Sequence, residues 1–242
     1  MMDKKTTKWL FFSLLFLGNT VALAQESYFN VPESDVAKAR KLTVQQQFSI
    51  QDYYRSLTTF DYGLGKDWEI GANLLNLDYY PVSKQILRND STSERAYSPL
   101  LMLNGQKIFK LPHGFHVGLG AQVGYNLTPT KNQRRLVSYG YANLNKQFYK
   151  EHYKLTAGLY SGHTRYLGAG PQVGFQAGFE AGIFYQKLHL IGDWISGQHD
   201  VGQLALGLEL FLSKSVPLAI GWQRSNQNGT SALIVQLTYM PD

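Results

Sequence analysis

Apolar and polar residues alternate along most of the chain with a period of two. In the stretch FHVGLGAQVGYNL, which begins at Phe115, every second residue through Tyr125 is apolar, and the residues between them are polar or glycine. Residues 173–183 and 204–212 repeat this pattern. A period of two places alternate side chains on opposite faces of a β-strand. The sequence therefore predicts an all-β protein whose strands each have one continuous apolar face.

The lengths of these strands favour a membrane over a soluble core. Strands of soluble proteins are usually about five or six residues long, whereas a tilted strand that crosses a bilayer needs about nine to eleven. Twelve strands are predicted, at 42–51, 56–64, 67–78, 98–110, 114–127, 136–149, 152–163, 172–185, 187–197, 201–213, 216–225 and 231–240. Most of them are long enough to cross a bilayer.

The connections between the predicted strands alternate in length. Short turns fall near 65–66, 111–114, 150–151, 186–187 and 213–215, and longer stretches fall at 79–97, 128–135, 164–171, 198–200 and 226–230. This alternation, an even strand count and aromatic residues near the strand ends are typical of outer-membrane barrels with periplasmic turns and extracellular loops. We therefore expect a transmembrane antiparallel up-and-down β-barrel of about 12 strands, with its apolar face toward lipid.

The N-terminus has the features of a cleaved secretory signal peptide. Three lysines precede an apolar run over residues 9–17, and Ala22-Leu23-Ala24 matches the small-x-small cleavage pattern. The apolar run is too short to span a bilayer. The predicted organisation is a signal peptide at 1–24, a periplasmic N-terminal lead-in at 25–41 and an outer-membrane β-barrel at 42–242. A small plug that enters the lumen is the alternative for 25–41.

The composition excludes several functions but does not identify one. Removing residues 1–24 takes away three lysines and Asp3, which lowers the formal net charge from +6 to +4. This basic excess is too small and too dispersed to indicate nucleic-acid binding. The chain has no cysteine, no paired-histidine zinc motif and no phosphate-binding glycine loop. We therefore expect no nucleic-acid partner, no cofactor and no metal.

Charged residues on the inward face are the candidates for lumen chemistry. By alternation Asp61, Glu69, Glu180 and Glu209 point inward near short turns, and Lys154 joins them. They predict either an ion-selective constriction or an interior braced by ion pairs, since small barrels fill their lumens with side chains. Other polar candidates for the lumen are His116, Gln122, Asn126, His189, Asp193 and Gln203.

Basic residues predominate in the predicted extracellular loops. The candidates for a basic mouth are Arg88, Arg95, Arg134, Arg135 and Arg165. Such a mouth would attract anionic solutes, or it would bind the phosphates of lipopolysaccharide. Both interpretations remain open at this stage.

The whole pattern resembles a known type of protein. The signal, the twelve amphipathic strands and the phrase TTFDYGLGKDWEIGANLL look like small bacterial outer-membrane β-barrels. These include twelve-stranded channels for acidic sugars or nucleosides, and porins associated with the degradation of aromatic compounds. The last strand, ALIVQLTYMPD, resembles the C-terminal strand read by the barrel-assembly machinery, but it lacks a terminal aromatic residue. The resemblance is architectural, and it assigns no functional residue.

Two main functions follow from this architecture. The first is a passive, porin-like channel for small hydrophilic or amphipathic solutes. The second is a structural or interaction barrel with a closed lumen and functional extracellular loops. A barrel hydrolase that acts on lipid is a third possibility. It would need a serine, a histidine and an orienting polar group brought together, and no catalytic residue is assigned because the chain has no His-x-Ser pairing of the kind seen in barrel lipases. Expected partners are outer-membrane lipid, lipopolysaccharide, the barrel-assembly machinery and an unidentified small solute.

Overall fold

Twelve long strands form the wall of a closed antiparallel barrel. The computed structural model describes residues 28–33, 35–90, 95–127, 135–149, 152–184 and 187–241. Within these ranges the strands are β1 Leu42–Ile50, β2 Tyr54–Gly65, β3 Trp68–Tyr80, β4 Gln85–Ile86, β5 Leu100–Leu111, β6 Phe115–Asn126, β7 Leu136–Phe148, β8 Tyr153–Gly162, β9 Val173–Phe184, β10 Leu188–Ile195, β11 Gln203–Ser213, β12 Val216–Ser225 and β13 Ser231–Tyr239. Two short elements accompany them, helix α1 at Thr164–Leu167 and a 3-10 turn at Pro112–Gly114.

The barrel closes because its first and last strands pair. Residues 44–50 of β1 pair antiparallel with residues 233–239 of β13. Each other wall strand pairs with its neighbours in sequence, and the two-residue β4 adds only to the end of β3. Closure leaves no free edge of backbone donors and acceptors for lipid to satisfy. All twelve predicted strands are confirmed, with bounds that agree to within two residues.

The outer surface of the barrel is apolar. Leu119 and Val123 of the opening stretch are exposed, as are Leu206 and Leu208 of β11. Their sequence neighbours Gly120, Gln122 and Gly207 lie on the inward face. Exposed leucines in such number are stable only against hydrocarbon, so the prediction of a lipid-facing, outer-membrane barrel is confirmed. Among the described residues, no helix has the length and apolar content to cross a membrane.

The two rims of the barrel differ, as the connection lengths predict. The short-turn end carries the described turns 66–67, 112–114 and 214–215, together with the facing ends of β7 and β8 and of β9 and β10. Among the described residues, the long-loop end carries 51–53, 81–90, 95–99, 163–172, 196–202 and 226–230. At the long-loop end, α1 folds over the opening and buries Leu167 completely. Residues 128–134 of the predicted extracellular loop 128–135 lie outside the described residues, as does the predicted signal peptide.

One irregularity in the wall changes which residues face the lumen. Asn76 of β3 has a positive φ of 56°, and the register between β2 and β3 shifts at this point. An extra residue in one strand reverses the alternation beyond it. Asp78 therefore turns inward and is fully buried.

Residues 28–33 and 35–38 lie inside the barrel rather than below it. Tyr28, Phe29, Val31 and Glu33 are all buried, and Ala39 forms a parallel bridge with Gly63 at the short-turn end. The prediction of a periplasmic lead-in is therefore wrong for these residues, and the plug alternative describes them. The error has a physical source: the segment has no alternating pattern, so nothing local indicates that the lumen supplies its partners.

Candidate functional site

The plug, as residues 28–33 and 35–38 are called below, is held by apolar contacts with glycine-lined parts of the wall. Phe29 packs in a buried cluster with Ile191 and Ile234. A Cβ atom at Gly207 or Gly221 would lie 2.7 Å from the Cζ atom of Phe29. These glycines therefore make room for the ring, which explains why glycine occupies inward positions on β11 and β12.

Polar contacts fix the rest of the plug. The backbone N–H of Asn30 donates to Asp193 at 2.7 Å, and the Asn30 side-chain amide donates to the same carboxylate at 3.1 Å. Asn143 donates to the carbonyl of Pro32 at 2.6 Å, and Gln106 donates to the carbonyl of Asp35 at 2.7 Å. Backbone groups that leave water need such partners. The wall therefore provides specific acceptors and donors for this segment.

Lys154 of β8 connects the plug to the wall. Its ammonium lies 3.6 Å from Glu33 and 3.2 Å from Asp35 of the plug, and 3.3 Å from Glu180 of β9. The lysine is 2% exposed. A buried ammonium needs close negative partners, so these ion pairs hold plug and wall together at the short-turn end.

A cavity of about 220 Å³ remains between the plug and one side of the wall. It extends along β2 from Arg55, near the long-loop end, to Asp61, near the short-turn end. This separation corresponds to about 20 Å of strand at about 3.3 Å per residue. The cavity therefore follows much of the barrel's height on the side formed by β1, β2 and β3.

The lining of this cavity is rich in amides and carboxylates. Asn104 donates to Asp61 at 2.9 Å and to Asn73 at 3.0 Å, and Asn73 donates to Gln122 at 3.1 Å. The charged residues among its described lining are Glu33, Asp35, Arg55, Asp61, Glu69 and Asp200. Acidic groups therefore outnumber basic ones along the cavity.

The five residues predicted for a constriction are all buried, but the plug separates them. Asp61 and Glu69 line the cavity, where Glu69 also accepts a hydrogen bond from the backbone N–H of Ala37. Lys154, Glu180 and Glu209 are not among the residues that line it. The inward orientation is as predicted, but the five side chains do not form one ring around an open pore.

The other predicted lumen residues are distributed among the plug, the cavity and the wall. Asp193 holds the plug, and Gln122 and Gln203 line the cavity. His116 lies 3.8 Å from Asp35, and His189 hydrogen-bonds Glu180. Asn126 is buried near the long-loop end, and its side-chain atoms have no hydrogen-bond partner among the described residues.

An ion network that alternation does not predict lies beside the cavity at the long-loop end. Arg55 binds Asp78 through two hydrogen bonds of 2.8 and 2.9 Å, and it lies 3.3 Å from Asp200. Asp78 joins only because of the bulge at Asn76. The Asn in the middle of a strand is the one sequence signal for this bulge, since Asn adopts positive φ more readily than most residues.

The predicted basic mouth is only partly present in the described residues. Arg88, Arg95 and Arg135 are exposed at the long-loop end, whereas Arg165 bonds the carbonyl of Leu136 at 3.0 Å. Arg134 lies outside the described residues. Arg95 donates to Tyr80 at 3.2 Å, and this hydrogen bond raises the pKa of Arg95 above its ordinary value. Whether the mouth attracts solutes or lipopolysaccharide stays a prediction.

His199 fastens the loop 196–202 over the lumen. It is fully buried, and its Nε2 lies 2.7 Å from the hydroxyl of Tyr160. Burial lowers the pKa of His199 below its ordinary value, although the nearby Asp200 opposes that shift. The neutral imidazole is therefore the favoured form in this loop.

Comparison with known proteins supports the fold but does not assign a family, a substrate or an activity. No protein-family model matches the chain, and no curated protein matches it. The KdgM porin, whose structure is known alone and in complex with disordered oligogalacturonate, has a TM-score of 0.59. The two chains are 7% identical, and the match covers 83% of this chain and 99% of that porin. The barrel architecture is therefore shared with an outer-membrane porin at very low sequence identity.

Two further outer-membrane barrels are more distant in structure. A channel from Pseudomonas putida F1 has a TM-score of 0.48 at 11% identity, covering 87% of this chain and 99% of that one. Outer-membrane phospholipase A from Escherichia coli has a TM-score of 0.45 at 11% identity, covering 91% and 95%. Both TM-scores are below 0.5, so neither protein bears on the activity of this chain.

Proposed function

We propose that the protein is a narrow outer-membrane channel for small polar solutes, and that its path follows the cavity beside the plug. The observation that supports this proposal is the polar cavity that runs from Arg55 to Asp61. Hydrogen-bonding amides line it on the wall side, and these groups can replace water around a hydrated solute. The plug leaves too little room for a wide pore.

The charge of the lining favours cationic or neutral solutes. Asp61 and Glu69 lie together near the short-turn end, which we expect to face the periplasm. Fixed carboxylates in a narrow lumen raise the local concentration of cations. The lining therefore does not suit acidic sugars, which are one of the solute classes that the architectural resemblance implies, because an anion would approach two buried carboxylates.

Planar bilayer recordings test the channel directly. We expect small conductance steps from the wild type and a preference for cations at low salt, since salt screens fixed charge. The double variant Asp61→Asn with Glu69→Gln should shift the reversal potential toward anions. The matched pair Glu180→Gln with Glu209→Gln should leave the reversal potential unchanged, because these residues are not part of the cavity lining.

A barrel with a closed lumen is the second candidate, and the packing of the plug favours it. Tyr28 and Val31 pack against Tyr139 and Tyr160 toward the long-loop end, as part of one buried cluster. If deletion of residues 28–38 produces a folded barrel that conducts while the wild type stays silent, the plug closes the lumen. Silence from both folded proteins would reject the channel and support a structural or interaction role for the loops.

A further inference from the structure

Three side chains that commonly bind metals meet at the short-turn end of the lumen. Glu180 of β9, His189 of β10 and Glu209 of β11 lie on three consecutive strands and are all buried. One ligand atom from each lies within 4.8 Å of the others. His189 and Glu209 are paired directly across the β10–β11 ladder, so the wall holds their backbones in fixed positions.

The ring of His189 is also oriented by its surroundings. Its Nδ1 hydrogen-bonds Oε1 of Glu180, and the ring of Phe211 lies 5.0 Å away between centroids. The contact with Phe211 restricts the ring independently of this hydrogen bond. Because the ring is already oriented, metal binding costs less conformational entropy.

Lys154 of the wall does not by itself balance the negative charge at this position. The salt bridges of Lys154 run to Glu33, Asp35 and Glu180. Glu209 is 1% exposed, and its Oε2 has no hydrogen-bond partner among the residues that the structure describes. Burying a carboxylate without a full set of partners is costly, so a further cation at Glu209 would stabilise the folded barrel.

We propose that Glu180, His189 and Glu209 form a binding site for a divalent transition metal, with Zn²⁺ as the ion that fits best. One imidazole nitrogen and two carboxylate oxygens are ordinary zinc ligands, and zinc imposes no geometry through its d electrons. Zinc ligands at about 2.0–2.2 Å from the metal lie roughly 3.4 Å from one another. The hydrogen-bonded atoms of Glu180 and His189 must therefore move apart slightly to admit the ion, and Glu209 completes the site from within 4.8 Å.

The ion would bind between Glu180 and His189, which form a hydrogen bond in its absence. One proton lies in this hydrogen bond whichever group donates it, and a bound metal would take its place and release that proton to solvent. The carboxylate then binds the ion through Oε1, while Oε2 keeps its contact with Lys154. This site does not depend on whether the barrel conducts.

Zinc titration of the chelator-treated, folded barrel in detergent micelles tests the proposal. We expect one Zn²⁺ per chain by calorimetry and by elemental analysis, together with a higher unfolding temperature when Zn²⁺ is present. Glu209→Gln and His189→Gln should each weaken zinc binding at least tenfold. Glu209→His replaces one zinc ligand by another, so it should keep binding.

The control is His116→Gln, which removes a lumen histidine that faces Asp35 instead of Glu209. It should bind zinc like the wild type, and equal loss of binding in this variant would show adventitious binding by histidines. Without metal, Glu209→Gln should unfold at the wild-type temperature or above it, because it removes an incompletely paired buried charge. A wild type that binds no Zn²⁺, or a Glu209→Gln variant that binds it as tightly, would overturn the proposal.

Discussion

Lys154 carries the contacts that join the plug to the wall. A lysine that is 2% exposed inside a barrel is stable only with close anionic partners, and this one has two on the plug and one on β9. Removing the lysine leaves three carboxylates facing one another. The loss of stability is therefore larger than the loss of one ion pair would cause, because the remaining carboxylates repel one another.

Replacing Lys154 by methionine should destabilise the barrel by about 3 kcal/mol, the cost of leaving buried charges unpaired. Equilibrium denaturant unfolding in phospholipid vesicles measures this change. Lys110→Met is the control, because Lys110 is 62% exposed and its bridge to Asp67, at 2.8 Å, lies on the surface. The control should change stability by less than about 1 kcal/mol, and equal effects of both substitutions would contradict the role given to Lys154.

The burial of His199 predicts that the loop 196–202 responds to pH. Its folded-state pKa lies below its ordinary value because of burial, so the opened loop binds a proton more readily than the closed loop. The contribution of His199 to the stability of the closed loop is therefore complete above about pH 6.5, and it is lost as the pH falls below that value.

Hydrogen exchange of residues 196–202 between pH 7.5 and pH 5 checks this response. After correction for the intrinsic exchange rates, protection of the loop should fall with pH in the wild type. His199→Gln keeps a polar side chain that does not titrate, so its protection should not depend on pH. Protection that stays constant in the wild type would show that protonation of His199 does not open the loop.

At the scale of the strand, alternation between lipid and lumen governs what each position tolerates. On β11, Leu204, Leu206 and Leu208 face outward, whereas Gln203 lines the cavity. The lipid face must be apolar because hydrocarbon cannot solvate a charge. On the lumen face, each side chain must instead find polar partners and fit the space beside the plug.

Leu206→Arg should therefore cost about 2–4 kcal/mol of folding free energy in bilayers, as for a basic residue near the midplane. Gln203→Arg places the same side chain in the polar cavity and should cost less than about 1 kcal/mol, as for a solvated surface position. Folding yield and unfolding in vesicles, read from the mobility shift of the unheated barrel, compare the two. Equal tolerance would place the wrong face of β11 toward lipid.

At the scale of the whole molecule, the difference between the two rims predicts orientation. The long-loop end should face the cell exterior and the short-turn end the periplasm, as in bacterial barrels made from one chain. An epitope tag inserted after Val82, which is 95% exposed, should be labelled on intact cells. A tag inserted at Lys214, in the β11–β12 turn, should be labelled only after the outer membrane is permeabilised, and the reverse result would invert the barrel.

The sequence by itself determined the wall of this protein. Each lipid-facing position must be apolar whatever its neighbours are, so alternation is a local signal that can be read strand by strand. Turn lengths are equally local, and they predicted the number of strands and the two rims. For the same reason, the inward orientation of Asp61, Glu180 and Glu209 followed from the sequence.

Only the tertiary structure decided what fills the lumen. Partners there come from distant parts of the chain, as when Asn30 meets Asp193 and Lys154 meets Glu33, and no local period records such contacts. The bulge at Asn76 moves Asp78 inward against the alternation. The plug then separates Asp61 and Glu69, beside the cavity, from Glu180 and Glu209, because closure of the barrel and the path of residues 28–38 determine which inward side chains share a space.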